Sequence, residues 1–337
     1  MIRVRPGYMS SFHCLAGACT DSCCIGWEID IDEETLAYYE SQSGAIGKKL
    51  RENIERDKDS AYFKLTSNER CPFLNAQNLC EIILELGEEH ICQICTDHPR
   101  FYDWMASRTE EGIGLACEEA ARLILESPME LVSETIEGEE EGSEEELLRE
   151  KYLLKARGQM LETISKATDY ENIERDMVRM ASQMQLAYES WCEKQEIAYE
   201  GPEDTKIMLK SYEDLIKEYK SLEINKPLWR ELLEKMEGTR FCGRDQLYEA
   251  CKDLQDGYLH LLYYFIYRYF MQARYDDDIA GKVRLALYSI RMMEALDADS
   301  YKQKGSLTMW DRICNYKLYS QEIEYCEDNV IAISDML

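Results

Sequence analysis

Cysteine is the residue type that stands out first in this chain of 337 residues, because fourteen are present and nine lie within the first 117 positions. Their spacings are short: C-x4-C-x3-C-C, then C-P-F-L-x5-C, then C-x2-C-x2-H-P-R, and a last cysteine before a helical stretch. The nine are Cys14, Cys19, Cys23, Cys24, Cys71, Cys80, Cys92, Cys95 and Cys117. Soft metal ions and iron–sulfur clusters take three or four sulfur donors, and closely spaced thiolates can reach one centre. The pattern therefore predicts a metal centre.

The spacing leaves the identity of that metal open. Zinc suits four thiolates and an iron–sulfur cluster suits three or four, so the cysteine pattern fits both. A disulfide scaffold is disfavoured, because the adjacent Cys23 and Cys24 point their side chains apart. The other five cysteines have no ligand-like spacing and are interpreted as small buried hydrophobic side chains. These five are Cys192, Cys242, Cys251, Cys314 and Cys326.

The elements that must position the thiols are short, and the rest of the chain is helical. Residues 71–83 have the pattern of a hairpin that turns at Asn75 to Asn78, and residues 85–100 indicate a short helix that ends before Pro99. Apolar residues then recur at helical spacing, and residues 257–271 predict a buried core helix. The predicted fold is mainly α.

We expect three parts in the chain. Residues 1–130 form a Cys-rich domain that binds a metal or cluster, with short hairpins and helices. Residues 131–146 form an acidic linker, in which Ser143 and Glu146 fit a capping box that opens the next helix. Residues 147–337 form an α-helical domain.

Charge argues against several classes of partner. The chain carries 39 Lys and Arg against 67 Asp and Glu, a formal charge of −28, and no basic stripe stands out. Binding to nucleic acid depends on basic residues that displace counterions from phosphates, so nucleic acid is not expected as a partner. The N-terminal residues lack the apolar stretch of an export signal, and residues 257–271 are too short to span a bilayer. We therefore expect a cytoplasmic protein without a transmembrane segment.

Several segments, in order along the chain, resemble the flagellin lysine-N-methylase family, within a broader group of zinc- or iron-chelating proteins named for a CxxCxxCC motif. They are FHCLAGACTDSCCIGWEIDID (12–32), CPFLNAQNLCEI (71–82), CTDHPR (95–100), LACEEAARLIL (115–125), GYLHLLYYFIYRYF (257–270) and YSQEIEYCEDN (319–329). The motif itself is not present to the letter, because three residues separate Cys19 from Cys23. In the last segment Tyr325 and Cys326 stand where the family has His-Ser. Any role of that histidine is therefore in doubt here.

The resemblance implies an enzyme that transfers methyl from S-adenosylmethionine to lysine side chains of flagellin, with an oxygen-sensitive [4Fe-4S] cluster. The ligand pool that it implies leaves out Cys92. This pool is Cys14, Cys19, Cys23, Cys24, Cys71, Cys80, Cys95 and Cys117. Zinc remains the alternative to the cluster. The sequence has no glycine-rich nucleotide motif beyond Gly112-Ile113-Gly114, which fits a cofactor anchored by the metal centre itself.

Lysine methylation also needs groups that orient and deprotonate the amine. The candidates are Tyr264, His260 and Glu324, although buried tyrosines and histidines are more often part of a core. His98 is a candidate nitrogen ligand or supporting residue, and Arg100 is expected to offset the thiolate charge. The rival interpretation is a non-catalytic zinc or iron–sulfur module, such as a sensor, with a helical domain that binds a partner.

Overall fold

The computed structural model describes residues 1–58, 60–203, 205–237, 244–250 and 256–336. Its Cα positions divide into two compact units, a smaller one over Phe12–Phe101 and a larger one over Met1–Ser11 with Tyr102–Leu337. The fold is mainly α, as the sequence predicts, with a small sheet. Cys242, Cys251 and residues 252–255 lie outside the described residues.

The regular elements are numbered here in chain order. The strands are β1 Ile2–Pro6, β2 Ile54–Arg56, β3 Ala61–Phe63, β4 Arg100–Trp104, β5 Arg108–Ile113 and β6 Leu131–Thr135. The α-helices are α1 Glu33–Ser41, α2 Gly44–Asn53, α3 Glu81–Leu86, α4 Gln93–Asp97, α5 Glu118–Glu126, α6 Glu144–Ser165, α7 Tyr170–Gln195, α8 Tyr212–Ser221, α9 Pro227–Met236, α10 Arg244–Ala250, α11 Asp256–Tyr269, α12 Ala273–Asp276, α13 Ile279–Lys304, α14 Met309–Ile323 and α15 Glu327–Asp335.

The pairing of strand β1 determines which compact unit the first residues of the chain belong to. β1 runs parallel to β5, with Ile2 opposite Arg108, and antiparallel to β6, with Ile2 opposite Thr135. The sheet order is β4-β5-β1-β6. Residues 1–11 therefore belong with the helical part, and the division falls at residues 12 and 101 instead of at residue 130. The composition does not reveal this, because strand pairing joins segments more than 100 residues apart.

The predicted acidic linker is ordered at both ends. Its first residues form β6, which pairs with β1 along the whole strand. At its other end the Ser143 hydroxyl accepts from the Glu146 amide at 3.2 Å and the Glu146 carboxylate accepts from the Ser143 amide at 2.7 Å. This is the predicted capping box, and it opens α6.

The core of the larger unit is built on α11 and α13. Eleven of the fourteen residues of α11 are buried, which confirms the core helix predicted from the most apolar stretch. Nearly all residues of α13 from Ile279 to Asp299 are buried as well. A helix buried on all sides must satisfy its polar groups internally, and the Tyr267 hydroxyl does so with the carbonyl oxygens of Val4 and Glu111 at 3.1 and 2.9 Å. Among the described helices, none combines the length and the apolar character needed to cross a bilayer.

Candidate metal centre

The smaller unit holds eight of the nine N-terminal cysteines on short elements. The backbone around Cys24 runs alongside the chain that leads to Cys71: the Cys71 amide donates to the Cys24 carbonyl at 2.8 Å, and Ile25 pairs with Arg70. Hydrogen bonding between these two segments holds the second half of the Cys23-Cys24 pair beside Cys71. Cys24 and Cys71 are therefore neighbours in the fold, although they are 47 positions apart in the sequence.

A tight turn brings Cys80 back to the same place. Leu74 and Cys80 form an isolated antiparallel β-bridge. Within the turn, the Asn75 side-chain oxygen accepts hydrogen bonds from the amides of Gln77 and Leu79 at 2.9 and 3.0 Å. Asn78 takes a left-handed backbone conformation with φ +56°. Asparagine tolerates that conformation better than most residues, so the sequence encodes this turn locally. The predicted turn at Asn75 to Asn78 is confirmed, but the hairpin is limited to one bridge and does not extend to residue 83, because α3 begins at Glu81.

Cys92 and Cys95 sit at the start of α4 and within its first turn. The Asp32 carboxylate caps α1 through the Thr35 amide at 2.9 Å and also accepts from the Gln93 amide at 2.8 Å. One side chain therefore fixes the beginning of two helices. Burial acts to raise the pKa of Asp32, but the hydrogen bonds from Gln93 and Thr35 outweigh it and the pKa is lowered. Tyr39 is fully buried next to this turn and lies with its hydroxyl 3.7 Å from Cys92 Sγ.

Five sulfur atoms from these three places pack in the core of the smaller unit. We call them the thiol cluster: Cys24, Cys71, Cys80, Cys92 and Cys95. Each of Cys71, Cys80 and Cys95 has its pKa raised in part by charge on Cys24 and Cys92. All five residues pack in the same hydrophobic core, so the structure gathers them in one part of the smaller unit. Cys92, which the predicted ligand pool leaves out, is among the most buried of them.

Two members of the thiol cluster have a pKa below the usual value for cysteine. A hydrogen bond from the Cys23 thiol lowers the pKa of Cys24 to about 6, against the opposing effect of burial. A hydrogen bond from the Cys95 thiol lowers the pKa of Cys92 in the same way. Burial raises the pKa of Cys71 to about 12 and also raises that of Cys80. The thiol cluster therefore contains two acidic sulfurs, each hydrogen-bonded to a neighbouring cysteine.

Arg70 provides the positive charge at the thiol cluster. Its guanidinium helps to lower the pKa of Cys24 and also donates to the Asn78 side chain at 2.8 Å. Arg100, which the sequence analysis selected for this role, instead donates to the Thr96 carbonyl at 2.8 Å and stacks on Phe12 at 5.3 Å. Arg70 could have been identified from the sequence, because it directly precedes Cys71. His98 ends α4, and burial lowers its pKa to about 4.

The donor set of the thiol cluster suits a soft metal or an iron–sulfur cluster, since all five donors are sulfur and two have a lowered pKa. Within the part of the chain that the structure describes, however, no three His, Cys, Asp or Glu side chains are placed to hold one ion. Hydrogen bonds join Cys92 to Cys95 and Cys24 to Cys23 instead. The chemistry of the donors fits a metal, and closure around one ion would exchange these hydrogen bonds for metal–sulfur bonds.

The remaining predicted ligands are placed differently. Cys14 and Cys23 are exposed and Cys19 is partly exposed, with its thiol 3.3 Å from the Asp21 carbonyl. Cys117 belongs to the larger unit, where it precedes α5. The roles of these four as ligands stay predictions. Of the cysteines interpreted as core residues, Cys192 is buried and Cys326 is partly exposed, while Cys314 is exposed and that interpretation is wrong for it.

The structure brings two of the three candidate catalytic residues together. The Tyr264 hydroxyl donates to Glu324 Oε2 at 2.7 Å, and the Arg268 guanidinium lies 2.9 Å from the same oxygen. Tyr264 is 2% exposed and the Glu324 side chain 1%. Burial raises the pKa of Tyr264 well above its usual range. His260 lies apart from this network, with Nδ1 3.0 Å from the Ile124 carbonyl, which is the contact of a core histidine.

The chain is similar in part to proteins named for flagellar biosynthesis and for lysine methylation. The flagellar biosynthetic protein FliU of Salmonella muenchen is 29% identical over 130 residues, which are 37% of this chain and 77% of that protein. A lysine-N-methylase of Salmonella choleraesuis (strain SC-B67) is 30% identical over 140 residues. A lysine-N-methylase of Salmonella typhimurium (strain LT2) is 29% identical over 140 residues. These proteins are similar to this one.

The similarity is partial. The aligned region is 39% of this chain and only 35% of either lysine-N-methylase. No family model matches the chain. No solved structure matches it either.

Proposed function

We propose that this protein is an S-adenosylmethionine-dependent protein-lysine N-methyltransferase that acts on flagellin in the cytoplasm, assisted by a [4Fe-4S] cluster. The observation that carries the proposal is the similarity, at about 30% identity, to two proteins named lysine-N-methylase, together with one named for flagellar biosynthesis. The gathered thiols of the smaller unit support the cluster, because a cube of iron and sulfide takes three or four cysteine sulfurs.

The thiol cluster supplies the residues that would hold the metal. The pKa of Cys24 is lowered to about 6 and that of Cys92 is lowered as well, and Cys71, Cys80 and Cys95 pack in the same core. With three of these cysteines as ligands, a bound [4Fe-4S] cluster would supply an open iron site for the amino and carboxylate groups of S-adenosylmethionine. Zinc bound to four of these thiols is the alternative occupant.

The chain's own residues would support that centre in three ways. Arg70 offsets the negative charge of bound thiolates, as it already does for Cys24. Asp32 fixes the turn that carries Cys92 through its bond from the Gln93 amide. The Tyr39 hydroxyl donates to the His90 carbonyl at 2.8 Å and lies beside the Cys92 sulfur, where it limits access of water.

A second function is a non-catalytic zinc or iron–sulfur module with a helical partner-binding domain. The observation that favours it is the burial of Tyr264 and Glu324, whose side chains bond to one another and to Arg268 in the core. A base that strips a proton from a lysine ammonium must reach that amine. Residues as buried as these two do not offer that contact in the arrangement described.

Anaerobic purification followed by a methylation assay separates the two functions. We expect a brown protein with iron and sulfide in equal amounts, and flagellin that gains methyl groups only when this protein and S-adenosylmethionine are both present. Tandem mass spectrometry would place the methyl groups on lysines. Unmodified flagellin beside an iron-loaded protein would support the sensor, and a colourless protein with one zinc would support a structural site.

A further inference from the structure

The larger unit contains a cleft of about 440 Å³ that is distinct from the thiol cluster. It is formed by the end of β4 and the turn to β5, by the residues that open α6, and by α12. The lining side chains that matter here are Trp104, Tyr275, Glu141, Glu146, Arg149 and Arg274. All of them belong to the larger unit. The cleft is therefore a feature of one compact body.

Two large aromatic side chains stand open in this cleft. Trp104 is 72% exposed and Tyr275 is 73% exposed, the highest values among the large hydrophobic side chains described. Trp104 stacks on Tyr102, with ring centroids 5.5 Å apart and planes inclined by 20°. Burial of such rings is strongly favourable, so two rings left in solvent within one cleft mark a binding surface.

The second ring is also held in position before any ligand arrives. The Arg274 guanidinium lies 4.3 Å from the Tyr275 ring centroid and donates to its hydroxyl at 2.6 Å. Arg274 is fixed in turn by Asp103, which accepts from both guanidinium nitrogens. Rings held in this way lose little conformational entropy when a ligand binds.

Charge in the cleft selects the kind of ligand. Both guanidinium groups are already neutralised, Arg274 by Asp103 and Arg149 by Asp277. The Met1 ammonium, which also lines the cleft, donates to the Gly138 carbonyl at 2.8 Å. Three carboxylates outnumber it: Glu150 accepts from two backbone amides, and Glu141 and Glu146 are exposed to solvent. These last two belong to the segment 137–146, which holds seven glutamates and no basic residue. The charge left over for a ligand is therefore negative, and a cation is the complementary occupant.

We propose that this cleft binds the lysine side chain of the protein substrate, with the ammonium near the face of Trp104 and the carboxylate of Glu141. An indole face attracts an ammonium ion, and exposed carboxylates at the rim strengthen that attraction. This assignment rests on the proposed function, because a lysine methylase must hold a lysine. It gives Trp104 and Tyr275 a substrate-binding role that the cysteine-rich unit does not supply.

The first test uses a small probe and the full chain, and needs no catalysis. Nα-acetyl-lysine methylamide is titrated into protein labelled with ¹⁵N at its five tryptophan indoles, and the Trp104 resonance is identified by its loss in Trp104→Phe. We expect this resonance to shift in a saturable way, while Trp310, on α14, stays unchanged. The probe acetylated on Nε has a similar shape without the charge and should leave Trp104 unmoved.

The second test uses flagellin as substrate and separates binding from chemistry. Trp104→Ala and Glu141→Gln should each raise KM about three- to tenfold with kcat unchanged, the loss expected for one cation–aromatic or rim-charge contact. Trp310→Ala, which removes a partly exposed indole elsewhere, should match the parent protein. Glu141 is fully on the surface, so its variant tests the cleft even if Trp104→Ala folds poorly.

The outcomes distinguish this inference from the function on which it rests. If Trp104 senses the charged probe but flagellin is never methylated, the cleft is supported and the methylase proposal fails. If flagellin is methylated with the same KM by Trp104→Ala and Glu141→Gln, the cleft is not the substrate site. Equal shifts from the charged and acetylated probes would also overturn the inference, because the carboxylates would then play no part.

Discussion

At the scale of single residues, the pKa values of the thiol cluster are shifted in opposite directions. Cys24 and Cys92 accept hydrogen bonds from neighbouring thiols, whereas burial keeps Cys71 and Cys80 protonated. Metal binding requires deprotonated sulfur, so the two acidic thiols are the natural first ligands. Cys92 is central for this reason, although the family pattern offered no signal for it.

We therefore predict that Cys92→Ser and Cys24→Ser each lose at least half of the bound metal after anaerobic purification, because one donor is removed from a centre that needs three or four. Metal and sulfide analysis measures this loss. Cys192→Ser is the matched control, since that thiol is equally buried but lies on α7 of the larger unit. Full metal content in Cys92→Ser would remove Cys92 from the ligand set.

His98 makes the metal-free protein sensitive to acid. Its folded pKa is lowered to about 4, below the ordinary value of 6.5, so the unfolded chain takes up the proton first as the pH falls. Stability is complete above about pH 6.5 and is lost progressively down to about pH 4, by up to ~3 kcal/mol. Urea unfolding at pH 7.5 and pH 5 measures this loss.

His98→Gln should weaken that pH dependence, whereas His13→Gln, which changes an exposed histidine, should not. The same slope in His98→Gln and in the parent protein would show that His98 is protonated equally in both states.

At the scale of elements, the loop that carries Cys14 and Cys19 packs against the hairpin turn. A Cβ atom added at Gly17 would lie 2.8 Å from the Gln77 carbonyl oxygen and 3.3 Å from the Leu79 side chain. Because backbone cannot easily move aside, the glycine allows a close approach that holds this loop on the smaller unit. The sequence shows that residue 17 is a glycine, but it does not show that the backbone of Gln77 packs against it.

Gly17→Ala should therefore lower the free energy of unfolding of the metal-free protein by about 1–3 kcal/mol. Gly158→Ala should instead raise it by about 0.5–1 kcal/mol, because Gly158 is an exposed residue of α6 with open space around its Cα. Chemical denaturation of both variants measures these two changes in the free energy of unfolding. Equal effects from the two substitutions would contradict the close packing at Gly17.

A buried ion pair joins the sheet of the larger unit to its first long helix. The Arg157 guanidinium of α6 donates to both carboxylate oxygens of Glu110 on β5, at 2.6 and 2.5 Å, and both residues are buried. Loss of Arg157 would remove the closer of the two guanidinium groups beside buried Glu110 and leave Arg108 at 3.8 Å. The pair thus fixes how α6 lies on β5.

Arg157→Ala should destabilise the protein by about 3–5 kcal/mol. Arg175→Ala, which removes an exposed pair with Glu171, should change stability by less than about 0.5 kcal/mol. Thermal and denaturant unfolding of the two variants provide the measurement. A small effect of Arg157→Ala would mean that Glu110 takes up a proton or reaches water.

At the scale of the whole molecule, the smaller unit is one continuous segment with a hydrophobic core of its own. That core combines aromatic and aliphatic side chains with the thiol cluster, and Phe63, Phe73 and Tyr39 stack within it. The larger unit, by contrast, is closed by β1, which comes from the start of the chain. The smaller unit is in effect an insertion between β1 and the rest of the larger unit.

A protein containing only residues 12–101 should therefore fold and bind metal without the larger unit. Its circular dichroism and its anaerobic metal content test this, with Cys24→Ser in the same segment as the control for specific binding. An unfolded segment that binds no metal, beside a full chain that does, would show that the larger unit is needed to complete the site.

The sequence by itself determined the features that depend on near neighbours. The turn at Asn75 to Asn78, the capping box at Ser143 and the apolar α11 each follow from residue types a few positions apart. The break between α14 and α15, by contrast, has no such local signal, although α14 ends at Ile323 and α15 begins at Glu327. Apolar spacing continues across that break, so periodicity could not reveal it.

Contacts between residues that are far apart in the sequence depend on tertiary packing. In the folded chain Cys92 packs within the thiol cluster, and Arg70 instead of Arg100 is its cation. Strand β1 pairs within the larger unit, and Trp104 lines a cleft. The physical reason is the same in each case. Burial, charge neutralisation and strand pairing depend on what packs against a residue from other parts of the chain, and spacing along one segment carries no record of that packing.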